Sequence, residues 1–150
     1  MLPAALAVVS ALLLGALVLA LIRRRLGRIM REVDRVYPVH ERVLTAPMAN
    51  YFGSGSKGMG QVRGNGVLLL TGSQLYFRML MPEREVRIPV DSISSVSTPR
   101  SFLGKSKLSP LLRVDFKRAD GKDDSAAWMV RELDRWVEEL KKAAGIRTRE

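Results

Sequence analysis

The apolar positions fall into three regimes along the chain. From Leu2 to Ile22 no side chain is charged, and Ser10 is the one clearly polar residue. At about 1.5 Å of rise per residue, a helix over this run matches the roughly 30 Å hydrocarbon core of a bilayer. Arg23, Arg24 and Arg25 follow directly. Beyond them the spacing stays helical: Leu26, Met30, Val33 and Tyr37 share one stripe, and Arg28, Arg31, Glu32, Asp34 and Arg35 fill the other face. Gly27 weakens that rod by about 1 kcal/mol relative to Ala. Pro38 ends it, because the residue before a proline is pushed out of the α region. The pattern predicts a transmembrane helix over 2–22, continued as a basic, amphipathic juxtamembrane helix over 23–37.

From Glu41 the period changes to two. Strand-like runs cover 42–52, 66–71, 74–81, 85–90, 93–97, 111–117 and 125–130. Pro47 inside the first marks an edge strand or a bulge. Residues 53–66 form a glycine-rich connection, residues 99–110 a second long loop, and Asp120-Gly121 a hairpin turn. The third regime is helical again, with Leu133, Trp136, Val137, Leu140 and Ala144 on one stripe. Glu132 and Asp134 near its start and Lys141 and Lys142 near its end complement the helix dipole. Gly145 suits a C-cap, and residues 145–150 read as a polar tail. Ala126-Ala127-Trp128 reads either as the last strand or as the first turn of this helix. Seven short strands with mostly tight turns predict an antiparallel barrel or sandwich.

Composition narrows the chemistry. The 150 residues suit one compact domain with an appendage. Cys is absent, which excludes disulfides and thiolate ligands, and His40 is the sole histidine. The net charge is +10, of which the six arginines of 23–35, set against Glu32 and Asp34, supply +4. The membrane flank of Arg23, Arg24, Arg25 and Arg28 thus accounts for much of the basicity, and no nucleic-acid partner is expected. The apolar run lacks a basic segment before it, exceeds the usual signal-peptide core of about 7–15 residues, and ends in arginines. These features favour a retained single-pass anchor over a cleaved signal peptide. The positive-inside rule then places the N-terminus outside and the C-terminal domain in the cytoplasm, at the cell (inner) membrane.

The pieces Gly66-Val-Leu-Leu-Leu-Thr71 with Leu75-Tyr-Phe77, Ile88-Pro-Val-Asp-Ser-Ile-Ser-Ser-Val96, and Trp128-Met-Val with Trp136-Val-Glu-Glu-Leu140 resemble the pleckstrin-homology-like superfold, closest to GRAM and bacterial PH-type domains. The resemblance covers residues 41–144. It implies a seven-stranded antiparallel split barrel capped by the C-terminal helix. In lipid-binding members the first inter-strand loop carries spaced cations, and Lys57 and Arg63 stand in that loop here. Asn65 occupies the place of a further arginine, so the resemblance implies no phosphoinositide specificity.

Other motifs offer little. Gly53-Ser-Gly-Ser-Lys-Gly58 fits a dinucleotide fingerprint by letter, but a strand and not a helix is expected after it. His40 has no second ligand nearby, Asp123-Asp124 is an isolated polar turn, and no serine has a base placed by spacing. No catalytic residue, metal or cofactor is expected. Lys57, Arg63, Arg100, Lys105 and Lys107, with Phe102-Leu103 either as an aromatic–aliphatic tip or tucked under the loop as a satellite core cluster, form the expected surface for anionic lipid or a protein partner. The expectation is a non-enzymatic, membrane-anchored binding or adaptor module. The alternative is an assembly subunit that oligomerises through its anchor and juxtamembrane helix.

Overall fold

The computed structural model describes residues 2–58, 60–106 and 109–147. They form two compact units, which meet in sequence between Val36 and Tyr37. The first is one helix, α1 (Leu2–Val36), of 35 residues. At 1.5 Å per residue it is about 52 Å long, more than a bilayer core requires. Gly27 does not interrupt it. Among the described residues it is the one helix long and apolar enough to cross a membrane. In its N-terminal apolar run, Leu6, Leu12, Leu13 and Leu17 stand exposed.

The second unit contains nine strands and a helix. They are β1 (Arg42–Ser54), β2 (Gly64–Thr71), β3 (Gln74–Met79), β4 (Arg84–Pro89), β5 (Ile93–Ser97), β6 (Ser101–Phe102), β7 (Lys105–Ser106), β8 (Leu112–Lys117), β9 (Asp123–Met129) and α2 (Leu133–Ala143). Seven of the strands build one antiparallel sheet in the order β4-β3-β2-β1-β9-β8-β5. Residues 123–129 are strand throughout, and the ladder between Leu112 and Trp128 fixes them there. Pro47 marks a bulge, since the β1–β2 register slips between Ala46 and Ala49, and it lies in the half of β1 whose ladder is with β2 alone.

The sheet is not closed. No ladder joins β4 to β5, although they are consecutive in the chain. One short 3-10 turn, Val90–Ser92, carries the chain from one outer strand to the other. The two outer strands therefore follow each other in the chain without pairing, and Pro89 ends β4 with no N–H to offer a neighbour. Strand alternation sends Leu68, Leu70, Leu75, Phe77, Ile88, Val96, Val114 and Trp128 into one core. Tyr51, Phe77 and Trp128 pack there with ring centres 5.2 to 5.9 Å apart. Helix α2 lies against β5, β8 and the corner turn. It adds Trp136 and Leu140, 3% and 0% exposed, to the same core.

Candidate functional site: a basic face on a second apolar cluster

The loop expected over 99–110 has structure of its own. Leu111 donates its N–H to the Pro99 carbonyl at 2.7 Å and closes the loop's base. β6 and β7 pair as a hairpin, Ser101 opposite Ser106. Leu103 and Gly104 turn it with φ of 49° and 69°. A two-residue turn with both φ positive matches the twist of the strands it joins. The hairpin lays Phe102 on the outer side of the sheet against Phe52, Leu111 and Ala127, with Leu103 and Met129 beside them.

Of the two readings of Phe102-Leu103, a protruding tip or a pair tucked under its loop as a satellite core cluster, the structure shows the second for Phe102. Phe102 is 5% exposed and belongs to a cluster separate from the main core. The alternation that points Tyr51 inward turns Phe52 outward, so β1 needs a cover on this side, and the hairpin supplies it.

Two arginines lie on the cluster's rings. The Arg63 guanidinium carbon is 4.4 Å from the centre of Phe52, and that of Arg113 is 5.6 Å from the centre of Phe102. Arg113 is further held by Asp115, its Nε and Nη2 donating to one carboxylate oxygen at 2.9 and 2.8 Å. A guanidinium over a ring can still present N–H donors that suit phosphate and carboxylate oxygens, although Nε and Nη2 of Arg113 are already engaged by Asp115. Lys57, in the turn Gly55–Lys57, and Arg100, just before β6, are exposed. The structure thus joins Arg63 and Phe102, about forty positions apart, through one cluster. The Lys105 side chain and all of Lys107 lie outside the described residues.

The loop between β1 and β2 is tied by its own side chains. The Gln61 amide accepts from Ser54 N at 3.0 Å and donates to the carbonyls of Ser54 and Gly58. Asp124 accepts from Ser56 N at 2.8 Å, from Ser56 Oγ at 2.7 Å and from Ser125 N at 2.8 Å. Burial pushes the Asp124 carboxyl up, but these hydrogen bonds outweigh it and hold the group below the usual aspartate value. The Gly53–Gly58 fingerprint therefore has its Ser54 and Ser56 amides already taken. It leads through a 3-10 turn toward a strand, so it lacks the helix a nucleotide cradle needs. His40 is exposed, 3.8 Å from Glu41. Among the described residues no group of three His, Asp or Glu side chains is placed to hold a metal ion.

Sequence reasoning missed Phe52, Arg113, Gln61 and Asp124. Arg113 carried a legible signal, since it alternates with Leu112 and Val114 and so faces out beside an aromatic loop. The partners of Gln61 carried none.

No protein family and no curated protein matches the chain. Solved structures do resemble it. A chain of the 8S snRNP assembly intermediate superposes with a TM-score of 0.56 at 12% identity, covering 75% of this chain and 89% of that one. The C-terminal domain of an unknown protein from Leishmania infantum superposes with a TM-score of 0.54 at 13% identity, covering 77% and 97%. At such identities the likeness is one of fold.

Proposed function

We propose that the chain is a single-pass, membrane-anchored binding module without catalytic activity, whose PH/GRAM-like domain presents a basic face to anionic lipid headgroups at the cytoplasmic side of the membrane. The reading of the fold rests on the order β4-β3-β2-β1-β9-β8-β5 with a helix after the last strand. The orientation rests on the arginines after the apolar run. The observation that carries the function is the pair of arginines placed over the rings of Phe52 and Phe102 in a domain whose chain also holds a bilayer-length apolar helix. Tethering keeps the local headgroup concentration high, so weak contacts of about 1 kcal/mol per cation suffice.

The test is hydrogen exchange on the full chain in nanodiscs of neutral lipid and of lipid with a third phosphatidylserine. Residues 55–58 and 99–104 are expected to exchange more slowly on the anionic discs. The difference should fade as salt rises through physiological strength, where the Debye length is about 8 Å. Equal exchange on both discs would assign the face to a protein partner instead. A reporter fused after Glu150 should be active in its cytoplasmic form alone.

A further inference from the structure

Strand β1 changes neighbours half-way along. At Asn50 and Tyr51 it runs between β2 and β9, Gly53 and Ser54 pair with β9 alone, and from Arg42 to Ala49 its ladder is with β2 alone. The chain leaves β9 after Met129 and turns toward α2 through Glu132, whose φ of 53° is left-handed. That departure opens a groove of about 280 Å³ between the two segments. Ala46 and Ala49 line it from β1, and Val130 and Trp136 from the other side.

Its size and chemistry narrow the occupant. Small-molecule and cofactor pockets run from about 300 to 1,000 Å³, so this groove lies at the small end of that range, with room for one or two side chains. A strand with one free edge is a template for another strand, and the alanines let a second backbone approach closely. Met48 beside the bulge is half exposed and adds apolar surface. The charged residues at the rim are Arg131 and Glu132. Glu132 faces Arg135 at 3.7 Å, whereas Arg131 has no carboxylate partner among the described residues. The chain beyond residue 35 carries 19 basic against 13 acidic side chains, so its field also favours an acidic occupant.

We infer that the groove takes an extended, acidic segment of a partner protein. The segment pairs as a strand with Arg42–Ala49, seats one apolar side chain against Val130 and Trp136, and sets a carboxylate against Arg131. This does not depend on the basic face and stands if lipid binding fails.

The test uses the full chain in neutral detergent micelles. The probe is an acetylated, amidated octapeptide of alternating valine and glutamate. The peptide bears a fluorescent dye on its C-terminal amide and its anisotropy is the readout, because Trp128 and Trp136 are both buried, 0% and 3% exposed. A saturable shift to higher anisotropy is expected. Replacing glutamate by lysine in the peptide should weaken binding at least tenfold, N-methylating alternate amides should abolish it, and Arg131→Glu should reverse the charge preference. No saturable shift with the valine–glutamate peptide would overturn the inference, as would equal binding of the N-methylated form. Sedimentation is the second readout. A dimer that Ala46→Arg dissociates would put a second copy in the groove and overturn the acidic partner.

Discussion

Arg63 holds its guanidinium 4.4 Å from the centre of the Phe52 ring, although ten residues lie between the two in the chain. The contact turns a flexible cation into an oriented one. A lysine at the same place keeps the charge and loses the plane. Arg63→Ala is therefore expected to reduce the anionic-disc protection of residues 99–104 severalfold, and Arg63→Lys to give an intermediate value. Both variants should unfold within a few degrees of the parent, because an exposed cation–π contact is worth only about 0.5–1 kcal/mol. Full retention of protection in Arg63→Ala would remove this residue from the site.

A second prediction concerns pH. On the outer side of β3 and β4, the Tyr76 hydroxyl donates to Glu85 Oε1 at 2.9 Å, and Arg78 and Arg87 donate to the same carboxylate at 3.2 and 3.0 Å. Tyr37 packs on Tyr76 with ring centres 4.8 Å apart. Burial, then the bond to Glu85, pushes the Tyr76 phenol up to about 12. The folded state thus binds this proton more tightly than the unfolded state. Its contribution is complete below about pH 10 and is lost as pH rises toward 12. Glu85 behaves in the opposite sense. Burial raises its carboxyl, but the bonds from Tyr76 and Arg87 outweigh that and hold it below the ordinary glutamate value. Its stabilising share is present above about pH 4.3 and is lost as pH falls through the depressed value. Tyr76→Phe should flatten the alkaline limb between pH 10 and 12 and raise the Glu85 pKa, both readable by thermal unfolding and NMR titration. An unchanged alkaline limb would show that another group sets it.

Glycines give a sharper contrast. A Cβ on Gly66 would run into the Arg78 carbonyl oxygen and the Phe77 ring, neither of which has room to retreat across a paired ladder. At Gly72, in the turn that Thr71 Oγ1 braces by accepting from Ser73 N and Gln74 N, a Cβ meets nothing within 4 Å. Gly66→Ala should cost several kcal/mol, as overpacking of a fixed core does, or prevent folding. Gly72→Ala should stay within about 0.5 kcal/mol. Similar melting temperatures for the two would mean that β2 and β3 are not paired in this register.

What was legible in the sequence was what periodicity encodes. Leu2–Ile22, the alternation through Val86 and Ile88, and the stripe of Trp136 and Leu140 each repeat a local rule, and each became the expected element. Residues 126–128 stayed ambiguous because Ala and Trp satisfy both periods, and pairing with β1 and β8 decided the matter. The 101–106 hairpin was missed because two-residue strands have no period to read. Whether Phe102 protrudes or tucks in stayed open because its cover partners, Phe52 and Ala127, come from strands about fifty and twenty-five positions away. The unclosed sheet was equally invisible, since it depends on which edges meet across space and not on any local run.

The last prediction separates a docked helix from a merely attached one. Leu140 and Glu138 share α2, two residues apart, yet Leu140 is 0% exposed in the core and Glu138 points to solvent. Helix α2 has 11 residues, too few to be stable in water by propensity alone, so its order depends on packing against β5 and β8. Leu140→Ala removes that packing and leaves a cavity at a cost of about 2–5 kcal/mol. For a domain near a hundred residues, that lowers the melting temperature by roughly 8 °C or more. Glu138→Ala should change it by no more than about 2 °C, since an exposed substitution to a better helix former has little to lose. Thermal unfolding of the full chain in micelles, followed by near-ultraviolet dichroism of the buried Trp128, reads both variants against the same core. Equal small shifts would detach α2 from the sheet and leave the corner between β4 and β5 without its cover.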